Sequence, residues 1–249
     1  MVDMYNFLVA HPEPHESLNI ADFDAYLRAW MHKAGEQISR CGGRGKKIIK
    51  YSEKKYLKDL HDGALGEIEL YSDPIWEESG GSEMLNCNFS AVLSSEAGLL
   101  LCAYSEKMKL EALVESFYAF DRWWESFDYI YSYGESHAYG FGYARGIYMP
   151  DENHPLMWSR RNEVGMWWKK QRAGTTDSFI RDVYPVNIFS DRKLSALPPE
   201  KSLALESAME RFGVCETRGK FTVWVLGDHE LEAIRAELKA VDLLASYCL

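Results

Sequence analysis

Short apolar runs and amphipathic stretches alternate along the chain, and this alternation limits the fold more than any other feature of the sequence. Residues 4–10 form an apolar run, and a helical pattern that Asn19 can cap follows it and extends to Ile38. Residues 86–93 and 99–104 then alternate as the two strands of a hairpin do, and residues 107–127 carry an amphipathic helical stripe. This order of strand, helix, hairpin and helix is typical of an antiparallel sheet covered by helices.

The second half of the chain repeats this order without residue-level identity to the first half. Residues 182–189 predict a strand, and residues 200–212 predict a helix that opens at a pair of prolines. A hairpin over residues 214–226 and a final helix over residues 230–244 complete the pattern. We therefore predict a weak structural repeat and not a sequence repeat.

These patterns predict one α+β domain, in which helices pack on a face of one or more antiparallel sheets. Its two related halves span about residues 1–127 and 179–249, and an aromatic and glycine-rich segment, residues 128–178, joins them. A chain of 249 residues can bury a sizeable core. With 47% apolar and 14% aromatic residues, the composition excludes disorder over most of the length.

The charge balance bears on possible partners. The chain has 28 Lys and Arg against 38 Asp and Glu, which gives a net charge of −10. A nucleic-acid coat would need a basic face to displace counterions, whereas an acidic chain suits a basic protein partner. The chain contains no apolar run of membrane-spanning length, no basic signal region and no C-x-x-C pair among its five cysteines. We therefore expect a cytoplasmic protein that binds neither nucleic acid nor membrane.

Charge is also distributed unevenly along the sequence. Residues 44–58 contain seven basic residues and one acidic residue, and residues 59–83 contain eight acidic residues and no Lys or Arg. These abutting blocks could pair with each other or offer a polar surface to a partner. An acidic patch centred on an aromatic residue would steer and anchor a basic protein, although a merely solvated loop is the alternative. The predicted protein-binding site consists of Asp73, Trp76, Glu77, Glu78 and Glu83.

Aromatic residues crowd the middle of the chain. Sixteen of the 34 Phe, Trp and Tyr residues lie between Phe117 and Trp168, interleaved with glycines. Two adjacent pairs, Trp123-Trp124 and Trp167-Trp168, stand in helical patterns, where neighbouring side chains point about 100° apart. We expect one ring of each pair in the core and the other at a rim, where it could anchor an interface.

The string Gly134-Glu-Ser136-His-Ala138 is the strongest enzymatic signal in the sequence. It approaches the G-x-S-x-G elbow that exposes a nucleophilic serine, and Asp191 and His229 follow in the order of those hydrolases. Alanine at the fifth position and poor helix formers after it depart from that motif. No histidine or cysteine spacing predicts a metal site, and no nucleotide-binding loop is complete, so we expect neither a metal nor a cofactor.

Several features of the chain together resemble a known family. They are the amphipathic helix that ends in Arg122-Trp123-Trp124, the Tyr/Gly run of residues 131–148 and the later Met166-Trp167-Trp168. With these features the acidic α+β chain resembles immunity proteins that are encoded beside restriction-endonuclease-like toxins of polymorphic-toxin and type VI secretion systems. The resemblance implies a non-enzymatic protein that binds its cognate nuclease toxin and blocks it. A serine hydrolase that uses Ser136 is the alternative, and a regulatory binding module without a toxin partner is a third possibility.

Overall fold

A computed structural model describes residues 4–14, 16–43, 46–73, 75–78, 85–95, 97–119, 121–146 and 161–247. Helices and antiparallel strands are mixed along these residues, so the predicted α+β class is confirmed. The chain divides into two compact units. One comprises Met1–Pro12, Glu16–Ser126 and Gly134–Phe141, and the other comprises Glu13–His15, Phe127–Tyr133 and Gly142–Leu249. The predicted connecting segment, residues 128–178, thus supplies residues to both units.

The first unit is built on an antiparallel sheet with the strand order β1-β8-β7-β4-β2-β3, and β5 and β6 form a separate two-stranded sheet. The strands are β1 (Met4–His11), β2 (Ile38–Gly43), β3 (Lys46–Lys50), β4 (Glu67–Ser72), β5 (Ile75–Glu78), β6 (Leu85–Cys87), β7 (Phe89–Ser94) and β8 (Gly98–Tyr104). The helices are α1 (Ile20–Lys33), α2 (Glu53–His61) and α3 (Leu110–Tyr118), with a 3-10 helix at Asp121–Ser126.

The second unit has the antiparallel strand order β11-β12-β10-β9. Its strands are β9 (Tyr129–Ser136), β10 (Val186–Ser190), β11 (Val214–Arg218) and β12 (Phe221–Val225). The helices are α4 (His137–Arg145), α5 (Arg161–Arg172), α6 (Asp191–Ala196), α7 (Pro199–Arg211) and α8 (Leu231–Ala240), with 3-10 helices at Thr176–Ser178 and Ala245–Tyr247. Both β9 and α4 extend into the first unit.

The start of α1 follows the sequence prediction, but its end does not. The Asn19 side chain accepts a hydrogen bond from the Ala21 N–H, as an N-cap should. The helix ends at Lys33, and Gly35 follows with a φ of 79°. The predicted continuation of the helix to Ile38 is therefore wrong. That residue begins β2 and pairs with Ser72 of β4, because strand pairing outweighs its match to the helical stripe.

The predicted long helix over residues 107–127 is divided in the structure. The regular helix ends at Tyr118, and the chain continues from Asp121 as a 3-10 helix. Trp123 is buried there and donates its indole N–H to the carbonyl of Phe117, 3.0 Å away. The tryptophan thus reaches the core through a tighter turn than the α-helical period predicts.

A helix also forms where the sequence disfavours one. The residues of α4 include two glycines and three aromatic rings, which are poor helix formers. Gly140 lies against the ring of Phe7 on β1, and a Cβ at Gly140 would overlap that ring. Close packing of the helix on the sheet therefore requires the glycine that local propensity disfavours.

Candidate protein interaction surface

The structure divides the acidic block of residues 59–83 between interior and surface. Glu67 and Glu69 lie on β4 and are only 3% and 5% exposed. Asp62 and Asp73 are exposed. The two glutamates of β4 cannot take part in a partner-binding surface, so the block offers less acidic surface than its composition predicts.

The two oppositely charged blocks also contact each other within the first unit. Lys58 Nζ lies 3.9 Å from Asp62 Oδ2, one helical turn further along the chain. Both side chains are well exposed, so this ion pair adds little to stability. Internal pairing between the two blocks thus occurs at this point.

Three residues of the predicted site, Trp76, Glu77 and Glu78, fall on the two-stranded sheet of β5 and β6, which we call the acidic ribbon. The paired residues are Ile75 with Cys87, Glu77 with Asn86 and Glu78 with Leu85. This register leaves Trp76 as the extra residue of a β-bulge, a feature that bends a strand locally. The backbone therefore brings Trp76, Glu77 and Glu78 together on one short strand. Their side chains, and the whole of Glu83, lie outside the described residues.

The base of the acidic ribbon is fixed by polar contacts. The buried side chain of Asn88 donates to the carbonyl of Asp73 at 3.2 Å and to Glu36 Oε1 at 3.0 Å. The backbone N–H of Phe89 donates to Ser72 Oγ at 2.9 Å. These bonds join the strands that precede and follow the ribbon, so its two ends leave the main sheet at a defined place.

Cys87, the last residue of the ribbon, is a packing residue. It is buried against Tyr71, with the half-buried Ile48 beside them, and its thiol donates to the carbonyl of Phe89 at 3.1 Å. Burial raises the pKa of the Cys87 thiol to about 12. A thiol with such a pKa stays protonated near neutral pH and is a poor nucleophile or metal ligand.

In each tryptophan pair one ring is buried and the other is partly exposed, as predicted. Trp123 and Trp167 are buried, and Trp124 and Trp168 are half-buried. The guanidinium carbon of Arg172 lies 4.9 Å from the ring centroid of Trp168, a cation–π distance. One ring of each pair therefore remains partly accessible to a partner, as a rim residue would be.

The serine of the hydrolase-like string stands at a strand-to-helix junction. Ser136 is the last residue of β9 and His137 is the first residue of α4. His137 packs edge-on against Tyr5, with the ring centroids 4.7 Å apart, and burial lowers the pKa of His137 to about 4. This histidine is therefore neutral at physiological pH.

The two remaining residues of the hydrolase pattern lie in the second unit. Asp191 begins α6, and His229 precedes α8. Asp191 is exposed, and within the described part of the second unit no hydrogen bond joins the two residues. In a serine hydrolase a carboxylate orients the catalytic histidine through a hydrogen bond. Asp191 and His229, both among the described residues, do not form that bond.

Sequence reasoning missed a buried arginine in the second unit. Arg181 is fully buried and donates to the hydroxyl of Tyr131 and to the carbonyls of Tyr143 and Ala144. Its guanidinium carbon lies 4.0 Å from the ring centroid of Tyr143, whose hydroxyl is 2.7 Å from that of Tyr184. Burial raises the pKa of Tyr131, so that hydroxyl stays neutral. The surplus of tyrosines over residues 131–143 was the available signal for this polar core.

A second group of buried charges lies at the end of β10. Asp128 accepts hydrogen bonds from Ser190 Oγ and from the guanidinium of Arg192, which also donates to Asp177 at 2.8 Å. Lys193 is buried, and burial lowers its pKa to about 8. Its ammonium donates to backbone carbonyls of the neighbouring 3-10 helix and of the residue that follows it. These groups bond to one another and to the backbone, which indicates a structural role.

The described residues contain neither a candidate metal site nor a candidate membrane span. None of their His, Cys, Asp and Glu side chains form a group of three or more that could hold a metal ion. None of the helices in the described ranges is long and apolar enough to cross a bilayer. No protein-family model, curated protein or solved structure matches the chain.

Proposed function

We propose that this protein is an immunity protein, which binds a cognate secreted nuclease toxin and neutralises it by stoichiometric contact. The observation that carries the proposal is the acidic ribbon. Trp76, Glu77 and Glu78 follow one another on a short sheet that is separate from the main sheet, and the exposed Asp73 lies at its base. The net charge of −10 and the family resemblance support the same function.

A nuclease must bind phosphates, so its substrate face is basic. An acidic surface is attracted to such a face over several ångströms, and this attraction raises the association rate. An aromatic residue at the centre of the patch can supply the buried contact that slows dissociation. Because the ribbon is anchored through Asn88 and Ser72, it loses less conformational freedom on binding than a free loop would.

The first experiment tests the toxin partnership. The full chain is co-expressed with the product of the adjacent reading frame, and cell survival and co-purification are measured. We expect the neighbour to be toxic alone, and we expect this protein to restore growth and to co-purify with it. A harmless neighbour, or rescue without a complex, contradicts the proposal.

The second experiment tests the ribbon. The double charge reversal E77K/E78K should slow association with the toxin about tenfold and reduce its dependence on salt. The matched control is E206K/E210K, which makes the same change in net charge at two positions of α7. Association is measured by surface plasmon resonance at several salt concentrations. Equal slowing by both variants would show that only the net charge matters.

A serine hydrolase is the second candidate, and the strand-to-helix junction at Ser136 favours it. In that case a fluorophosphonate probe should label the protein through displacement of fluoride by the serine oxygen. Labelling should disappear in S136A and persist in S195A, which changes a serine on α6. No labelling of the wild-type protein excludes this candidate.

A further inference from the structure

Strand β11 is the outer strand of the second unit's sheet. In the described part of the chain no other strand pairs with its free edge. Val214 is 69% exposed, and Cys215, Glu216 and Thr217 are exposed as well. An exposed strand edge is a ready template for pairing with a further strand.

The hairpin geometry shows which residues face outward along this edge. Gly219, with a φ of 60°, and Lys220 form the two-residue turn between β11 and β12. Arg218 closes the hairpin, so it exchanges hydrogen bonds with β12, and every second residue before it does the same. The intervening residues, Cys215 and Thr217, therefore direct their N–H and C=O groups away from β12.

The charges of β11 are complementary to those of a second, antiparallel β11. Glu216 and Arg218 share one face of the strand, and Arg218 Nε donates to Glu216 Oε1 at 2.5 Å. If two copies pair about a two-fold axis at Thr217, Glu216 of each copy lies directly opposite Arg218 of the other. These are non-hydrogen-bonded positions, where opposing side chains come closest. The four charges would then alternate in sign.

The competing register is less favourable. A two-fold axis at Glu216 would also use the outward groups of Cys215 and Thr217. However, it would place the two Glu216 side chains opposite each other at the closest type of pair, where like charges repel. Charge therefore selects the register centred on Thr217.

The outer strand of the first unit differs in this respect. Strand β3 has the sequence Lys-Lys-Ile-Ile-Lys, with three lysines and no acidic residue. Two antiparallel copies of β3 would gather like charges, and lysines on an edge strand are a common protection against pairing. Strand β11 contains neither lysine nor proline.

We propose that β11 pairs antiparallel with β11 of a second copy of this chain about a two-fold axis at Thr217. The four-stranded order of the second unit then continues through β11 into the second copy. The pairing of β11 does not require a toxin partner. A five-residue edge buries less than the roughly 1,200 Å² of a standard interface, so the dimer forms in a concentration-dependent way.

Sedimentation velocity of the full chain over a wide concentration range tests the pairing. E216R and R218E each place like charges opposite each other and should weaken dimerisation about tenfold. The double variant E216R/R218E restores opposite charges and should recover nearly wild-type dimerisation. A wild-type chain that is monomeric at every concentration overturns the proposal, and so does a double variant that dissociates more than either single variant.

Cross-linking tests the register independently. In a C215S background, T217C should form a covalent dimer when oxidised glutathione is added, because the two introduced thiols face each other across the axis. E216C, at an equally exposed neighbouring position, is the matched control and should remain monomeric. A covalent dimer of E216C but not of T217C would establish the competing register and overturn ours. Failure of both to cross-link would indicate that the edge does not bind a second copy.

Discussion

The two units share an arrangement of three neighbouring strands, but the sheet continues beyond it in only one of them. In the first unit β1 lies beside β8, and β7 lies beyond it. In the second unit β10 lies beside β12, and β11 lies beyond it. In each case the strand comes before helices and the hairpin in the chain, and a further helix follows the hairpin. The outer hairpin strand is covered by β4 in the first unit, whereas in the second it is the edge.

The cause is the longer connection between the first helix and the hairpin in the first unit. Between α1 and β7 the chain contains β2, β3, α2, β4, β5 and β6, and β4 pairs with the outer side of β7. Between α7 and β11 it adds only a short connection through Gly213, which has a φ of 65°. One local motif can therefore make either an interior strand or an exposed edge, and a segment elsewhere in the chain decides which.

The strand sequences agree with this difference. Five of the six residues of β7 are buried, whereas four of the five residues of β11 are exposed. Strand β7 carries no charge, and β11 carries Glu216 and Arg218. A charged residue is tolerated on β11 because it remains in contact with water.

The largest effect that we expect is a loss of stability at acidic pH that begins in the first unit. Burial lowers the pKa of His137 in the first unit to about 4, from 6.5 in the unfolded chain. Between pH 6.5 and about 4 the unfolded chain therefore binds a proton at His137, whereas the folded chain does not. The free energy of unfolding is therefore highest above pH 6.5 and decreases as the pH falls toward 4. The loss approaches about 3 kcal/mol. Hydrogen exchange should show loss of protection in β1 before β12.

The variant H137N should remove most of this pH dependence, even if it lowers stability at pH 7. H61Q changes an exposed histidine on α2 and is the control. If H137N keeps the wild-type slope of unfolding free energy against pH, His137 does not cause the acid sensitivity.

The next effect is the difference in stability loss when a valine is shortened on each outer hairpin strand, β7 and β11. Val92 on β7 is 1% exposed, and Val214 on β11 is 69% exposed. V92A should lower the free energy of unfolding by about 2 kcal/mol, because it removes two methyl groups from a packed interior. V214A should change it by less than about 0.5 kcal/mol. Urea denaturation measures both, and a similar loss in the two variants would contradict the assignment of β11 as an edge.

The smallest effect concerns the two hairpin turns. Gly98 and Gly219 both have positive φ, at 89° and 60°. G219A should destabilise by about 1 kcal/mol, because alanine rarely adopts this backbone conformation. G98A should destabilise further, since a Cβ at Gly98 would also overlap the carbonyl oxygen of Ala10. Thermal denaturation ranks the two variants, and the reverse order would show that the first turn can relax.

Much of the candidate site depended on information that local patterns do not hold. The acidic block was visible in the sequence, but the burial of Glu67 and Glu69 follows from the central position of β4 between β2 and β7. Arg181 was missed for a similar reason. Its partners Tyr131 and Tyr143 are about 40 to 50 residues away in the chain, and only the tertiary fold joins them.

The residues alone were enough to predict the α+β class, the cap of α1, the β7–β8 and β11–β12 hairpins and the splitting of each tryptophan pair. These features depend on hydrophobic period, capping and turn chemistry, which act over a few neighbouring residues. The glycine-containing helix α4, the buried glutamates and arginine, and the exposed edge of β11 were decided by the tertiary structure. They depend on which strands become neighbours, and strand pairing joins residues that are far apart in the chain.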